Sequence, residues 1–159
     1  PDAATNQALR IAEQLAYRIG VVYAAGERFE GVATRWRGQM AENGKSLLFS
    51  HVLPEMNHNE LVGWKALREH MPGMQAIFLR DKGDHRRVQL RMELTKQIVS
   101  EHTSRVTEVW SEGTTLLARM CSLIYLGDWM SYYLAILHKE DPPPVKVIDY
   151  LKQELGKSR

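Results

Sequence analysis

The chain has 159 residues, 44% apolar and 25% charged, a length and mixture that suit one folded domain with its own core rather than a disordered tail. With 21 basic against 19 acidic residues, the net charge is +2 and no basic block stands out. Nucleic acid is therefore not expected as a partner, whereas a small anionic ligand stays open. The apolar run around Cys121 is broken by Arg119, Gly127 and Asp128. It falls short of the roughly 20 residues that cross a bilayer, so no membrane partner is expected. Cys121 is the only cysteine, which excludes an internal disulfide, agrees with a reducing, cytoplasmic compartment, and reads as a core thiol. The start, PDAATNQ, carries no secretion signal and no initiating Met, which suggests a processed chain or a piece of a longer one.

Ala8, Ile11, Ala12, Leu15 and Ile19 recur at helical spacing after a cap at Thr5, and Gly20 reads as the stop, giving an opening helix of about four turns. VVYAA (21 to 25) is a short β-branched run and reads as a buried strand. ERFEGVATRWRGQMAE returns to helical periodicity through Phe29, Val32, Ala33, Trp36 and Met40, which places Glu42 at or just past a helix end. LLFSHVLP (47 to 54) fits a strand or a helix equally by periodicity. MQAIFLR (74 to 80) reads as a strand after a Pro-Gly turn, and Asp84 as the cap of a helix from about His85 to Glu101. SRVTEVWSE (104 to 112) alternates as a strand does. Leu116 to Leu137 is apolar almost all round, so burial on more than one side is expected. DPPP (141 to 144) breaks the chain before a last amphipathic helix, Val145 to Leu155. Strands alternating with helices imply a parallel sheet covered on both faces, a layered α/β domain. Such sheets bind ligands beyond the carboxyl ends of their strands, here the loops after 25, 54, 80 and 112.

Several chemistries compete in these segments. Asn43, Gly44, Lys45 and Ser46 resemble the end of a phosphate-binding loop, but the required upstream glycine is absent and a helix, not a strand, precedes them. His58, Asn59 and Glu60, with His51 nearby, have no third ligand at chelate spacing, so no metal is expected. Ser111 to Thr115 could bind an anion at a helix N-terminus or simply cap it through Thr114. Glu42 and His58 could form an acid/base pair, since a carboxylate carries a proton between adjacent carbons and an imidazole exchanges one near neutral pH. The plainer alternative is a solvated Glu42 at a helix end, and His58 in the first turn of a helix capped by Asn57. By composition, Lys152 is a solvated residue on a helix whose apolar side is Ile148, Leu151 and Leu155.

QMAENGK, PEMNHNELVGW, LLARMCSLIYLGDWMSYYLAIL and DPPPVKVIDYLKQEL, in that order, closely resemble the C-terminal half of the bifunctional phosphoglucose/phosphomannose isomerases, in the phosphoglucose isomerase superfamily of SIS (sugar isomerase) domains. The resemblance covers about residue 15 onward. It implies a three-layer, flavodoxin-like SIS domain spanning residues 1–159, the C-terminal half of a two-SIS-domain enzyme. It also implies interconversion of fructose 6-phosphate with glucose 6-phosphate and mannose 6-phosphate through a cis-enediol, with no metal or redox cofactor. By this resemblance Glu42 is the base that moves the proton between C1 and C2, His58 opens the sugar ring in the partner subunit's active site, and Lys152 assists ring opening.

The partners implied are a phosphohexose, the N-terminal SIS domain that would carry the phosphate loops, and a second copy in a homodimer joined through residues 50 to 70 and the apolar helix 116 to 137. The chain alone is then expected to be inactive or nearly so. Pro143 stands where the family often carries Thr between two prolines, and His138, Lys139 and Glu140 where a small Asn-Gly-like turn is expected. Mannose 6-phosphate is the substrate most exposed to the first change. The alternative is a non-catalytic SIS module that binds a phosphosugar for regulation; Glu42 far from any pocket, or His58 packed in the core, would favour it.

Overall fold

The computed structural model describes residues 2–66 and 68–157. Four strands, β1 (Gly20–Ala25), β2 (Leu48–Leu53), β3 (Gln75–Arg80) and β4 (Val106–Trp110), form one parallel sheet in the order β2-β1-β3-β4. Among the described residues the α-helices are α1 (Gln7–Leu15), α2 (Gly26–Glu42), α3 (Glu60–Gly63), α4 (Arg86–Ser100), α5 (Leu116–His138) and α6 (Lys146–Gly156). Alternation along the central strands divides the core in two. Val22, Ala24, Ile77 and Leu79 face α1, α2 and α5, while Val21, Tyr23, Ala76 and Phe78 face Met92 and Val99 of α4 together with Met56, Trp64 and Met71. This is the three-layer α/β arrangement expected from the alternation of elements.

Residues 47 to 54 resolve as a strand because Gly20 to Ala25 pair with Leu48 to Leu53 in parallel register along the sheet edge. In α2 the five buried side chains are Phe29, Val32, Ala33, Trp36 and Met40, the five that the helical period selects. Trp36 donates its indole N–H to the Leu123 carbonyl at 2.8 Å, and Gly127 leaves the space for it: a Cβ there would stand 2.4 Å from the indole nitrogen.

Several expectations are corrected. The first helix ends at Leu15, not Ile19, because Tyr17 adopts a left-handed backbone (φ 59°) held by its own N–H to His138 and its hydroxyl to the Leu137 carbonyl. Gly20 is thus the first residue of β1 rather than a helix stop. Three caps lie one residue later than expected: Asn6, His85 and Thr115 accept the capping hydrogen bonds instead of Thr5, Asp84 and Thr114. Asn59, not Asn57, caps α3. Cys121 is exposed, so it is not a core thiol.

Helix α5 is buried on one side only. It packs on α1 and α2, leaving Leu117, Tyr125, Trp129, Tyr132 and Ile136 exposed. By length and composition α5 could cross a membrane, contrary to the reading of its broken run. Its Arg119 and Asp128 are nevertheless tied to Asp81 and Arg35, and its inner face is part of the core. Helix α6 buries no side chain, although its sequence is amphipathic.

Candidate active site

The end of α2 is built by the residues that flank Glu42. The Asn43 carboxamide reaches the Gln39 side chain at 2.5 Å and the Ser131 hydroxyl at 3.3 Å. Gly44 is pressed against α5; a Cβ there would meet the Met40 carbonyl oxygen and a Leu134 methyl, each at 2.9 Å, and its own carbonyl accepts from the His138 ring at 2.8 Å. Lys45 adopts a left-handed backbone (φ 52°) and turns its ammonium back to the Glu42 carbonyl at 2.6 Å. Asn43, Gly44 and Lys45 are thus engaged through their side chains or by close backbone contact, and Glu42 only through its carbonyl. The Glu42 side chain is exposed and lines a cavity of about 380 Å³ with Ala41, Lys45, Asp141, Pro144 and Ile148.

The segment after β2 follows the same logic. Met56 is buried, Asn57 donates to the Thr95 hydroxyl of α4 at 2.7 Å, and Asn59 caps Glu60. The Glu60 carboxylate accepts from the Tyr23 hydroxyl at 2.5 Å and meets His51 at 2.7 Å, while Trp64 donates to the same Tyr23 oxygen at 3.0 Å. Burial, followed by the Glu60 charge and hydrogen bond, pushes the Tyr23 phenol above its ordinary value, so it stays a neutral donor. His58 sits at the end of this anchored 3-10 turn with its side chain exposed. Lys152 is exposed on α6, one turn beyond Ile148, and is not among the residues that line the Glu42 cavity.

Glu42 and His58 do not meet within one chain. β1 and β2 run in parallel, α2 leads from the carboxyl end of β1 back to the amino end of β2, and Glu42 closes that helix six residues before Leu48. His58 lies five residues past Leu53, at the other end of the same strand. Six residues of strand span about 20 Å, so the two side chains belong to opposite edges of the sheet. Glu42 is therefore not at the carboxyl-edge loops where a ligand was expected.

That carboxyl edge holds a different arrangement. Between β1 and β3, where the strand order reverses, a cavity of about 320 Å³ is lined by Ala25, Gly26, Pro54, Gly83, Asp84 and His85. Burial and the neighbouring Asp81 push the Asp84 carboxyl up to about 6, against Arg28, the Asp81 amide and Arg80. Burial would raise Asp81 as well, but the Ser111 hydroxyl, the Gly83 amide and Arg119 hold it below the ordinary carboxylate value. None of Glu42, His58 and Lys152 lines this cavity. Sequence reasoning considered Lys45 and Glu60 only within a phosphate-loop and a metal reading, and missed Lys45 as the donor to the Glu42 carbonyl and Glu60 as the partner of Tyr23 and His51. Both lie inside the quoted motifs, and the only available signal was that polarity clusters there without a solvated pattern.

The strand order and the two cores define an open, parallel α/β domain. Residues 4–155 match the family described as "Bacterial phospho-glucose isomerase C-terminal SIS domain", and the chain belongs to that family. Among curated proteins, it is 41% identical over 151 residues to a bifunctional phosphoglucose/phosphomannose isomerase of Caldicellulosiruptor bescii, covering 95% of this chain and 44% of that protein. It is 41% identical over 126 residues to one of Aquifex aeolicus, covering 79% of this chain and 39% of that protein. The chain thus spans less than half the length of these relatives. Among solved structures, a glucose-6-phosphate isomerase like protein from Thermus thermophilus superposes with a TM-score of 0.77 at 26% identity, covering 91% of this chain and 48% of that one. A glucosamine-6-phosphate deaminase from Thermotoga maritima shares the fold alone, at TM-score 0.56 and 14% identity, covering 87% of this chain and 43% of that one.

Proposed function

We propose that this chain is the C-terminal domain of a phosphohexose isomerase and supplies its base, Glu42, and its ring-opening groups, His58 and Lys152. The observation that carries this reading is the exposed Glu42 carboxylate, placed on a cavity by neighbours that are all otherwise engaged. In the reaction, the Glu42 carboxylate takes the proton from C2 of the open-chain aldose 6-phosphate and returns it to C1 of the cis-enediol, while O1 gains a proton and O2 loses one, giving fructose 6-phosphate. Reprotonation of the same enediol on either face of C2 gives glucose 6-phosphate or mannose 6-phosphate, so one base serves both. His58 and Lys152 exchange the proton on the ring oxygen as the pyranose opens.

His58 and Glu42 lie at opposite sheet edges, which supports a site made by two copies: Glu42 and Lys152 from one, His58 from the other. The exposed faces of α5 and of the segment after β2 are the surfaces proposed for that homodimer and for an N-terminal SIS domain. Binding of the substrate phosphate helps position such sugars, so the chain by itself turns over little or nothing without a domain that holds it. A purely regulatory phosphosugar module is less well supported, because Glu42 lines a cavity and His58 is not packed in the core.

The test is a coupled assay of fructose 6-phosphate turnover, with glucose 6-phosphate and mannose 6-phosphate measured separately, for the chain alone and co-expressed with an N-terminal SIS domain of a relative. Activity that needs the added domain and falls by a factor of about 10² to 10⁴ in Glu42→Gln is the expected result. An active Glu42→Gln variant would remove Glu42 as the base.

A further inference from the structure

We propose that Lys45 is a positioning residue: its ammonium clamps the end of α2 to the proline strap before α6 and so sets where Lys152 stands relative to Glu42. This deepens the isomerase reading and rests on it. The Lys45 Nζ donates to the Glu42 carbonyl at 2.6 Å, the Pro142 carbonyl at 3.0 Å and the Pro144 carbonyl at 2.8 Å. An ammonium has three donors and no acceptor, so these bonds use its full capacity. Although Lys45 lines the cavity beside Glu42, it has no donor left for a substrate, which separates its role from that of Lys152.

Each of its three acceptors needs such a donor. The Glu42 carbonyl belongs to the last turn of α2, where the carbonyls lack intrahelical partners and the helix end favours a cation. Pro142 and Pro144 lie in a run of three prolines, which has no amide hydrogens of its own to organise it and is stiff. Helix α6 begins two residues later, buries no side chain, and makes no side-chain hydrogen bond to the body of the domain among the described residues. Lys45 therefore supplies the polar tie of this arm, and a stiff strap passes any displacement at Pro144 on to the helix that carries Lys152. The left-handed backbone of Lys45, uncommon for a residue with a side chain, is what turns the ammonium back toward all three carbonyls.

The clamp is tested with Lys45→Met, which keeps the stem and removes the donors, and Lys45→Arg, which keeps the charge but replaces a compact ammonium by a planar fork. In the chain alone, amide hydrogen exchange is expected to rise in residues 146 to 156 of both variants while β1 and β3 are unchanged. In the two-domain assembly, Lys45→Met should lower kcat about 10- to 100-fold with little change in KM. The Lys45→Met/Lys152→Ala double variant should be no slower than Lys152→Ala, because Lys45 acts through Lys152. Unchanged exchange in α6, or additive losses in the double variant, would overturn the clamp. Wild-type exchange in Lys45→Arg would assign the effect to charge rather than geometry and overturn it equally. If the wild-type assembly has no turnover, the isomerase reading fails, and the exchange measurement decides the clamp by itself.

Discussion

Asp84 lies beneath the start of α4 at 8% exposure, with Asp81 beside it and Arg28 and Arg80 too far to form an ion pair. Its folded value of about 6 stands above the unfolded 3.8, so the folded state holds the proton more tightly. Stability from this group is present below pH 4 and is lost as the pH rises through about 6. Asp84→Asn is therefore expected to raise unfolding free energy by about 2 kcal/mol at pH 7.5 and by almost nothing near pH 4, measured by urea unfolding at both. Equal gains at the two pH values would mean that ionisation is not the cause. Asp81 has the opposite sign, contributing stability that is lost on acidification through its lowered value. At this scale the sequence was informative about the place of Glu42 at a helix end, and silent where a polar residue turns inward. Asp84 has the residue type of a helix cap, but its carboxyl is buried beside Asp81 and the His85 ring accepts the first-turn amide instead.

The elements were legible where a single period governs. Helix α2 is 17 residues of uninterrupted pattern, and its buried face follows from spacing alone. Caps were not, because Thr5 and Asn6, Asp84 and His85, and Thr114 and Thr115 are adjacent candidates, and tertiary partners choose between them; Asn6, for example, also reaches the Tyr133 hydroxyl at 3.0 Å. Helix α5 has no polar stripe, so the sequence could not say which side is covered or that Cys121 faces outward. Gly44 is the element-scale junction on which the site depends, since α2 can end against α5 only without a Cβ there. Gly44→Ala should lower stability by about 1–3 kcal/mol in denaturant unfolding, because one of the contacts it would make is backbone and cannot move aside as a side chain does. A loss below about 0.5 kcal/mol would contradict so close an approach.

Across the whole molecule, topology decides what residue lists could not. The order β2-β1-β3-β4 and the return of α2 across the sheet place Glu42 at the amino edge and His58 at the carboxyl edge. A spacing of 16 residues carries no trace of that separation; in the sequence, the expectation that His58 acts in a partner's site came from the family resemblance alone. The same geometry accounts for the exposed apolar residues of α5 and α6, which the proposed two-domain dimer would cover. In the proposed two-copy site, each edge contributes the one side chain that its motif leaves unengaged.

The most direct test of this account mixes two inactive variants of the two-domain assembly, Glu42→Gln and His58→Ala, and measures isomerase turnover after subunit exchange. In a mixed dimer one site carries both defects and the other carries neither. Random pairing should therefore restore about a quarter of wild-type activity, as expected for a two-fold symmetric dimer with shared sites. No activity above that of the separate variants, in a preparation shown to contain mixed dimers, would place Glu42 and His58 in the same chain's site and contradict the account.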